Sequence, residues 1–557
     1  MVAFGGWLVC VLSLCIAASY CLGEEISVEL TVSHEFRAPD GFTRRVVTVN
    51  GMFPADPIRV KQWDELVVRV RNKFASDTTT IHFHGINMNG TPFMDGVPYI
   101  SQCPFGPEGF TYKFTVKEHP GTYFWHGHQS ETRVDGLAGA IIVDPPQKDL
   151  GLFGDNRTDI PSEIDGEHTI LLTDWYHDDS ENIVVGLESN PFIWAGDPQS
   201  ILYNGVGSFN CSEAILTPSR CNQTNGGIPV FEVEKGKTYL LRLISAGSLD
   251  WLSFGIDGHE VTLVQADGHP IKPVNVTTVE MNLGQRYDVI LEADQPEGNY
   301  WINTVTRFRK EVSGLAILRY KGATEEMPKN DVPVFDFDFD PSEIRSRSKL
   351  PEDMKQHKKE FKLSANQKWV DGHLVWPVNN IPFALPEGGT PLIYHAFYDK
   401  LGEIDRNKTQ FFEVNAGDVV DLVIENLPAS NNVVEQHAWH LHGYHFYVLG
   451  RGPGKFNRTK HADLLNLVDP PLRDTATVFP NGTMLAAYEE EDLNKPSGWT
   501  LLRFLGGNPG VWPMHCHMAW HAAMRMQVLF IDKEGIPKPP QDLPECGKME
   551  EWEKQYN

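Results

Sequence analysis

Positive charge is in short supply: 48 Lys and Arg stand against 74 Asp and Glu in 557 residues, for a formal net charge of -26. Binding a polyanion needs clustered basic side chains, so nucleic acid is excluded as a partner, and the acidic excess reads as plain solubility. Long apolar runs are also missing, except over residues 7–22. That run is short for a spanning helix, ends in small residues and is followed by Gly23-Glu24-Glu25, so residues 1–23 read as a secretory signal peptide. The stretch before it lacks Lys and Arg, which leaves an uncleaved anchor as the alternative. After cleavage no membrane contact is expected. Long helical periodicity is scarce as well, which argues against an α-rich fold.

Cysteine is sparse, with eight in the chain. Cys10, Cys15 and Cys21 leave with the signal, and Cys516 has no cysteine near it, which counts against a structural zinc site. Cys103, Cys211, Cys221 and Cys546 remain, an even number suited to two disulfides in an oxidising compartment. Glycosylation sequons at Asn89, Asn156, Asn210, Asn222, Asn275, Asn407, Asn457 and Asn481 agree with secretion.

What the chain does have is a repeat at domain scale. Residues 60–72, 233–245 and 414–426 share one length and one pattern, a turn followed by an alternating β-branched strand. Three all-β sandwich domains follow, with expected bounds of 24–147, 148–330 and 366–557, and a linker over 331–365. Asp336, Asp338 and Asp340 in that linker have calcium-loop spacing. Pro341 stands where Gly belongs and Arg347 where the bidentate Glu belongs, so the stretch reads as solvated and metal-free.

Four short segments carry chemistry: His82-Phe83-His84, His126-Gly127-His128, the run from His437 to His442, and the run from His515 to Met526. On a strand, i and i+2 side chains share a face and i+1 points away. His82 and His84 therefore pair, as do His126 and His128. His440 and His442 face one way and His437 the other; His515 and His517 face one way and Cys516 the other. Two sites result. Cys516, His437 and His521 with a weak axial Met526 make a trigonal copper set. His82, His84, His126, His128, His440, His442, His515 and His517 form the second, and eight imidazoles suit about three further metal ions. The middle repeat offers only His259 and is expected to carry no copper, serving as spacer and substrate wall. The cluster then lies between the first and third domains, with Cys516 a covalent wire between the sites.

With those four motifs in that order, the chain resembles the multicopper oxidases, particularly ascorbate oxidases and laccases, over nearly its whole length after the signal. The resemblance implies three cupredoxin domains and four copper ions: one type 1 ion on Cys516, His437, His521 and Met526, one type 2 ion on His82 and His440, and a type 3 pair on His84, His126, His128, His442, His515 and His517. It implies one-electron oxidation of a small reductant, ascorbate or a diphenol, at an exposed edge of His437 or His521, and four-electron reduction of dioxygen to water at the cluster. Asp95 is similar to the family's acid beside that cluster, a proton donor, while an Asp-Gly pair alone reads equally as a turn. Glu435 is a weaker candidate. Trp194 and Trp376 match the tryptophans that stack on ascorbate, and buried core tryptophan is the plain alternative for each. The resemblance also pairs Cys103 with Cys546 and Cys211 with Cys221. Ala438 departs from a common Pro, which bears on the stiffness of a loop. His177, His259 and His445 read as structural or surface histidines. A ferroxidase, which needs carboxylates beside His437 and His521, and a non-catalytic copper protein are the alternatives. Oligomeric state is left open.

Overall fold

The computed structural model describes residues 23–147, 151–154, 158–161, 163–215, 217–334, 337, 339–480 and 495–556. The signal segment with Cys10, Cys15 and Cys21, the sequons at Asn156 and Asn481, and Asp336 and Asp338 lie outside the described residues.

The chain folds as three two-sheet β units of cupredoxin type, and the repeated sequence segment takes the same place in each. Glu65–Asn72, Thr238–Ser245 and Val419–Asn426 pair in parallel with Glu25–Arg37, Gly166–Trp175 and Lys359–Ala365. On its other edge each pairs antiparallel, with Phe110–Thr115, Arg286–Glu292 and Gly498–Leu505. Alternation explains the burial: Leu66, Val68 and Val70, then Leu241 and Leu243, then Leu422 and Ile424, all face the sandwich cores. Removing such a side chain from water stabilises by about 1.5–3 kcal/mol.

The second sheet of each unit holds the strand pair that matters for chemistry. In the first unit Ile81–His84 pairs with Gly121–Gly127, placing His82 opposite His126. In the third, His437–Leu441 pairs with Gly510–Cys516, placing His440 opposite His515 and Trp439 opposite Cys516. The corresponding strand of the middle unit, Trp251–Ile256, carries the buried apolar pair Leu252 and Phe254 instead.

Two expectations need correcting. The segment read as a solvated linker is packed: Phe339, Ile344, Leu350 and Met354 are buried, and Lys359–Ala365 is already a strand of the third unit. Its apolar residues sit among charges, which hid them from a reading based on composition. Ala438 does not stiffen or loosen a loop, because it lies within a strand, paired with Thr477.

Cys103 is bonded to Cys546, tying the first unit to the C-terminal tail, and Cys211 to Cys221. The six sequon asparagines within the described residues are all exposed. Among the described residues no helix is long and apolar enough to cross a membrane.

Candidate metal centres

Cys516 ends the strand Gly510–Cys516, and the helical turn Ala519–Ala523 carries His521 back toward it. The Cys516 Sγ lies 3.8 Å from His437 Nδ1 and 3.7 Å from His521 Nδ1, and the two nitrogens are 3.2 Å apart. Metal–nitrogen and metal–sulfur bonds of about 2.0 and 2.3 Å at trigonal angles put donors roughly 3.5–3.7 Å apart. The triangle therefore fits one ion. All three residues are buried, as is Met526, whose carbonyl accepts from Cys516 N at 3.1 Å. Burial pushes the Cys516 thiol up to about 12 and His437 well below the usual imidazole range. A cation at this point would reverse the first effect, since a coordinated thiol is deprotonated outright.

The eight histidines of the second set converge from the first and third units. Ring centroids of His82 and His442 are 4.0 Å apart, those of His84 and His440 3.8 Å, and those of His126 and His517 5.3 Å. His442 Nε2 and His515 Nε2 approach to 3.2 Å. The hydrogen bonds of the outer nitrogens set the tautomers. Nδ1 of His82, His126, His440 and His515 donates to the backbone carbonyls of Asp95, Gly127, Asp474 and Cys516 at 2.8–3.0 Å. That leaves each Nε2 a lone pair, and Nε2 of His82, His126, His440 and His517 is buried without a partner. His84 is reversed: its Nε2 meets Asp474 Oδ1 at 3.1 Å and its Nδ1 is the orphan. Burial, then neighbouring groups, lowers His84, His126, His128, His440, His442 and His517 below the usual imidazole range, and His515 to about 4. Buried imidazoles with inward lone pairs are candidate metal ligands, and this donor set suits copper.

Asp95 follows the turn Pro92–Met94 and is fully buried, its Oδ2 3.0 Å from His442 Nδ1 and its Oδ1 3.2 Å from His82 Nδ1. Gly96 makes that approach possible, because at φ +78° a Cβ would stand 1.7 Å from the Ile81 carbonyl.

Two site expectations fail here. Trp376 is fully buried, its ring 4.8 Å from His437 and 4.9 Å from His521, so it packs behind the imidazoles and cannot stack on a substrate. The edges of His437 and His521 are not exposed either, at 1% each. His521 Nε2 is instead capped by Glu435 Oε2 at 3.2 Å, and Arg309 bonds that carboxylate at 2.5 Å. Burial would raise the Glu435 carboxyl, but Arg309 and His521 pull it well below the usual range. Trp194 does reach this place: it is half-buried, with the Arg309 guanidinium 5.3 Å above its ring. Arg309, Glu435, Gln436, Phe308 and Met518 line a depression of about 90 Å³ over the Cys516 centre.

Sequence reasoning missed Asp474, Arg133 and Gly284. Asp474 takes two bonds from Arg286 of the middle unit, at 2.8 and 2.7 Å, while orienting His84 and His440. Arg133 donates to the His517 carbonyl at 2.6 Å. Gly284 comes so close that a Cβ would stand 2.8 Å from His84 Cε1. None lies in a histidine motif, so no local pattern marks them. His177, His259 and His445 stay outside both clusters, bonded to Asp40, Tyr320 and Asn87.

Comparison with known proteins agrees with this geometry. Family profiles described as multicopper oxidase match residues 31–148, 166–323 and, in two pieces, 389–495 and 492–535. The chain is 36% identical over 550 residues to an L-ascorbate oxidase of Cucurbita pepo var. melopepo, covering 91% of this chain and 94% of that one. It is 30% identical over 573 residues to Laccase-2 of Oryza sativa subsp. japonica, covering 90% and 92%. The crystal structure of laccase from Botrytis aclada superposes with a TM-score of 0.78 at 27% identity, over 94% of this chain and 90% of that one.

Proposed function

The chain belongs to the multicopper oxidases, and we propose that it is a secreted enzyme oxidising ascorbate, or failing that a diphenol, with dioxygen as the acceptor. One observation carries the reading. Cys516 stands in a triangle with His437 and His521, while its two chain neighbours, His515 and His517, stand in the eight-histidine cluster.

Four copper ions are proposed, one held by Cys516, His437, His521 and Met526 and three shared by the eight imidazoles in the type 2 and type 3 arrangement. Bound copper supplies the one-electron chemistry and the reduction of dioxygen. The chain's own residues do the rest. Glu435, Arg309 and Trp194 receive the reductant at the depression over His521. Trp376 closes the centre from behind and excludes water. Cys516 joins the two centres by covalent bonds through His515 and His517. Asp95 stands between His82 and His442, placed to hand on protons where water formation consumes them.

Arg309 favours an organic anion over a metal ion. A ferroxidase would need open carboxylates at His521, and the two nearby, Glu435 and Asp250, already face a guanidinium at 2.5 and 4.0 Å. An enediolate such as ascorbate brings the opposite charge to the same guanidinium. Secretion is supported by the apolar run over residues 7–22, the two disulfides and the exposed sequons. Oxygen consumption measured with ascorbate, a diphenol and ferrous iron tests the reading. Ascorbate is expected to give the highest kcat/KM, and a preference for ferrous iron overturns the choice of substrate.

A further inference from the structure

Reducing one dioxygen to two waters takes four electrons and four protons. The electrons come singly from the reductant through Cys516, and the protons must come from solvent. Asp95 does not itself reach solvent, because it is fully buried between His82 and His442. The cluster nearly shares that isolation. Seven of its eight histidines are buried, and His128 alone is partly exposed.

A pocket of about 380 Å³ opens just past His128, which follows the strand Gly121–Gly127, and is lined by Gln129, Ser130, Glu131 and Thr132 on one side and Ser76, Asp77 and Thr78 on the other. Both segments run straight from the pocket into the cluster, the first from His128 and the second through Thr79 and Thr80 to His82. His128 N donates to the Thr80 carbonyl at 3.1 Å and so joins them. Along these segments Gln129 Oε1, at the pocket, and Thr80 Oγ1, on the face of its strand that carries His82, are buried with no partner. Buried polar atoms are nearly always bonded, and such orphans in a polar setting are satisfied by water. These two mark stations for a hydrogen-bonded chain.

We propose that Glu131 is the proton-loading group of this enzyme, taking protons from the pocket and passing them along that chain toward the cluster. It reaches both sides. Its side chain is 13% exposed on the pocket, and its Oε2 lies 3.5 Å from Arg133 Nε. Arg133 in turn donates to the His517 carbonyl at 2.6 Å. Burial raises the Glu131 carboxyl to about 7 against the pull of Arg133, with Asp135 adding to the rise. The other charged groups around the pocket are committed elsewhere. Asp135 holds Arg44 and Ser180, and Arg45 holds Glu181 at 3.2 Å. Asp77 and His34 lie on the far wall, where His34 stacks on Phe74 at 4.2 Å. For each of the four protons Glu131 releases one inward and is reprotonated by hydronium or buffer acid in the pocket, so it is unchanged over the turnover.

The proposal rests on the cluster being the dioxygen site, and the test separates the two. In copper-loaded wild type and Glu131→Gln, stopped-flow follows anaerobic reduction of the Cys516 centre by ascorbate, then reoxidation of the reduced enzyme by dioxygen from pH 5 to 8.5. Reduction is expected to be unchanged. Reoxidation should fall by about tenfold or more, lose its dependence on a group near pH 7 and gain a solvent deuterium effect, with Glu131→Asp recovering part of the rate. Infrared titration of the copper-free protein should show a carboxylic acid band that vanishes near pH 7 and is absent in Glu131→Gln. Should Glu131→Gln fail to load copper, Gln129→Leu keeps the acid and removes one orphaned atom, and slowed reoxidation is again expected. Wild-type reoxidation at every pH in the variant overturns the role of Glu131. A wild-type enzyme that is reduced but never reoxidised overturns the dioxygen site itself.

Discussion

Asp95 Oδ2 lies 3.0 Å from His442 Nδ1, although 347 residues separate them in the chain. The bond crosses from the first unit to the third and orients a ring whose Nε2 faces His515 Nε2 at 3.2 Å. One carboxylate thus orients a ring of the cluster, and in the proposed reaction it stands beside the site where protons are consumed.

Asp95→Asn keeps the shape and removes the acid. Reoxidation of the reduced enzyme by dioxygen is expected to slow by about 10²-fold or more, while reduction of the Cys516 centre keeps its rate. Stopped-flow measurement of the two half-reactions checks this. Equal reoxidation rates would return Asp95 to the role of a turn residue.

Cys516→Ser should abolish the blue colour and all turnover, because the thiolate supplies both the charge-transfer absorption and the link between the centres. Metal analysis is expected to fall from four coppers to about three, the eight imidazoles being untouched. Loss of all copper would mean that the two centres do not load independently.

The two tryptophans should separate cleanly. Trp194→Ala is expected to raise the ascorbate KM about two- to tenfold with kcat kept, on the scale of one stacking contact of about 0.5–1.5 kcal/mol. Trp376→Ala leaves a cavity against His437 and His521 and should cost about 3–5 kcal/mol of stability while shifting the visible spectrum. Michaelis kinetics and thermal melts decide. An unchanged melt in Trp376→Ala would contradict its full burial.

Glu131 also makes a statement about stability. Its carboxyl titrates near 7 in the folded chain against an ordinary value of 4.5, so the folded state binds the extra proton. Its contribution is fully present below about pH 4.5 and is lost as pH rises through 7. Glu131→Gln should therefore match the copper-free wild type near pH 5 and exceed it near pH 8, by on the order of 1–3 kcal/mol. Melting temperatures at the two pH values test the sign, and a variant less stable at pH 8 refutes the shift.

The sequence by itself determined the candidate ligands, the repeat and the division of labour between strand faces. Those properties are local: a two-residue period puts His515 and His517 on one side and Cys516 on the other whatever the rest of the chain does. The same logic assigned His437 apart from His440 and His442, and left the middle unit without ligands. Only the tertiary structure decided what surrounds the ligands, because those neighbours arrive from distant strands. Trp376 and Trp194 look alike in sequence, yet one is sealed behind His437 and the other lies under Arg309 at the surface. Glu435 became the cap on His521 within the third unit, held there by Arg309 of the middle unit, and the Glu131 pocket exists because residues 76–78 close over residues 129–132. Burial, charge pairing and access to solvent are properties of packing, and packing joins residues that no sequence period relates.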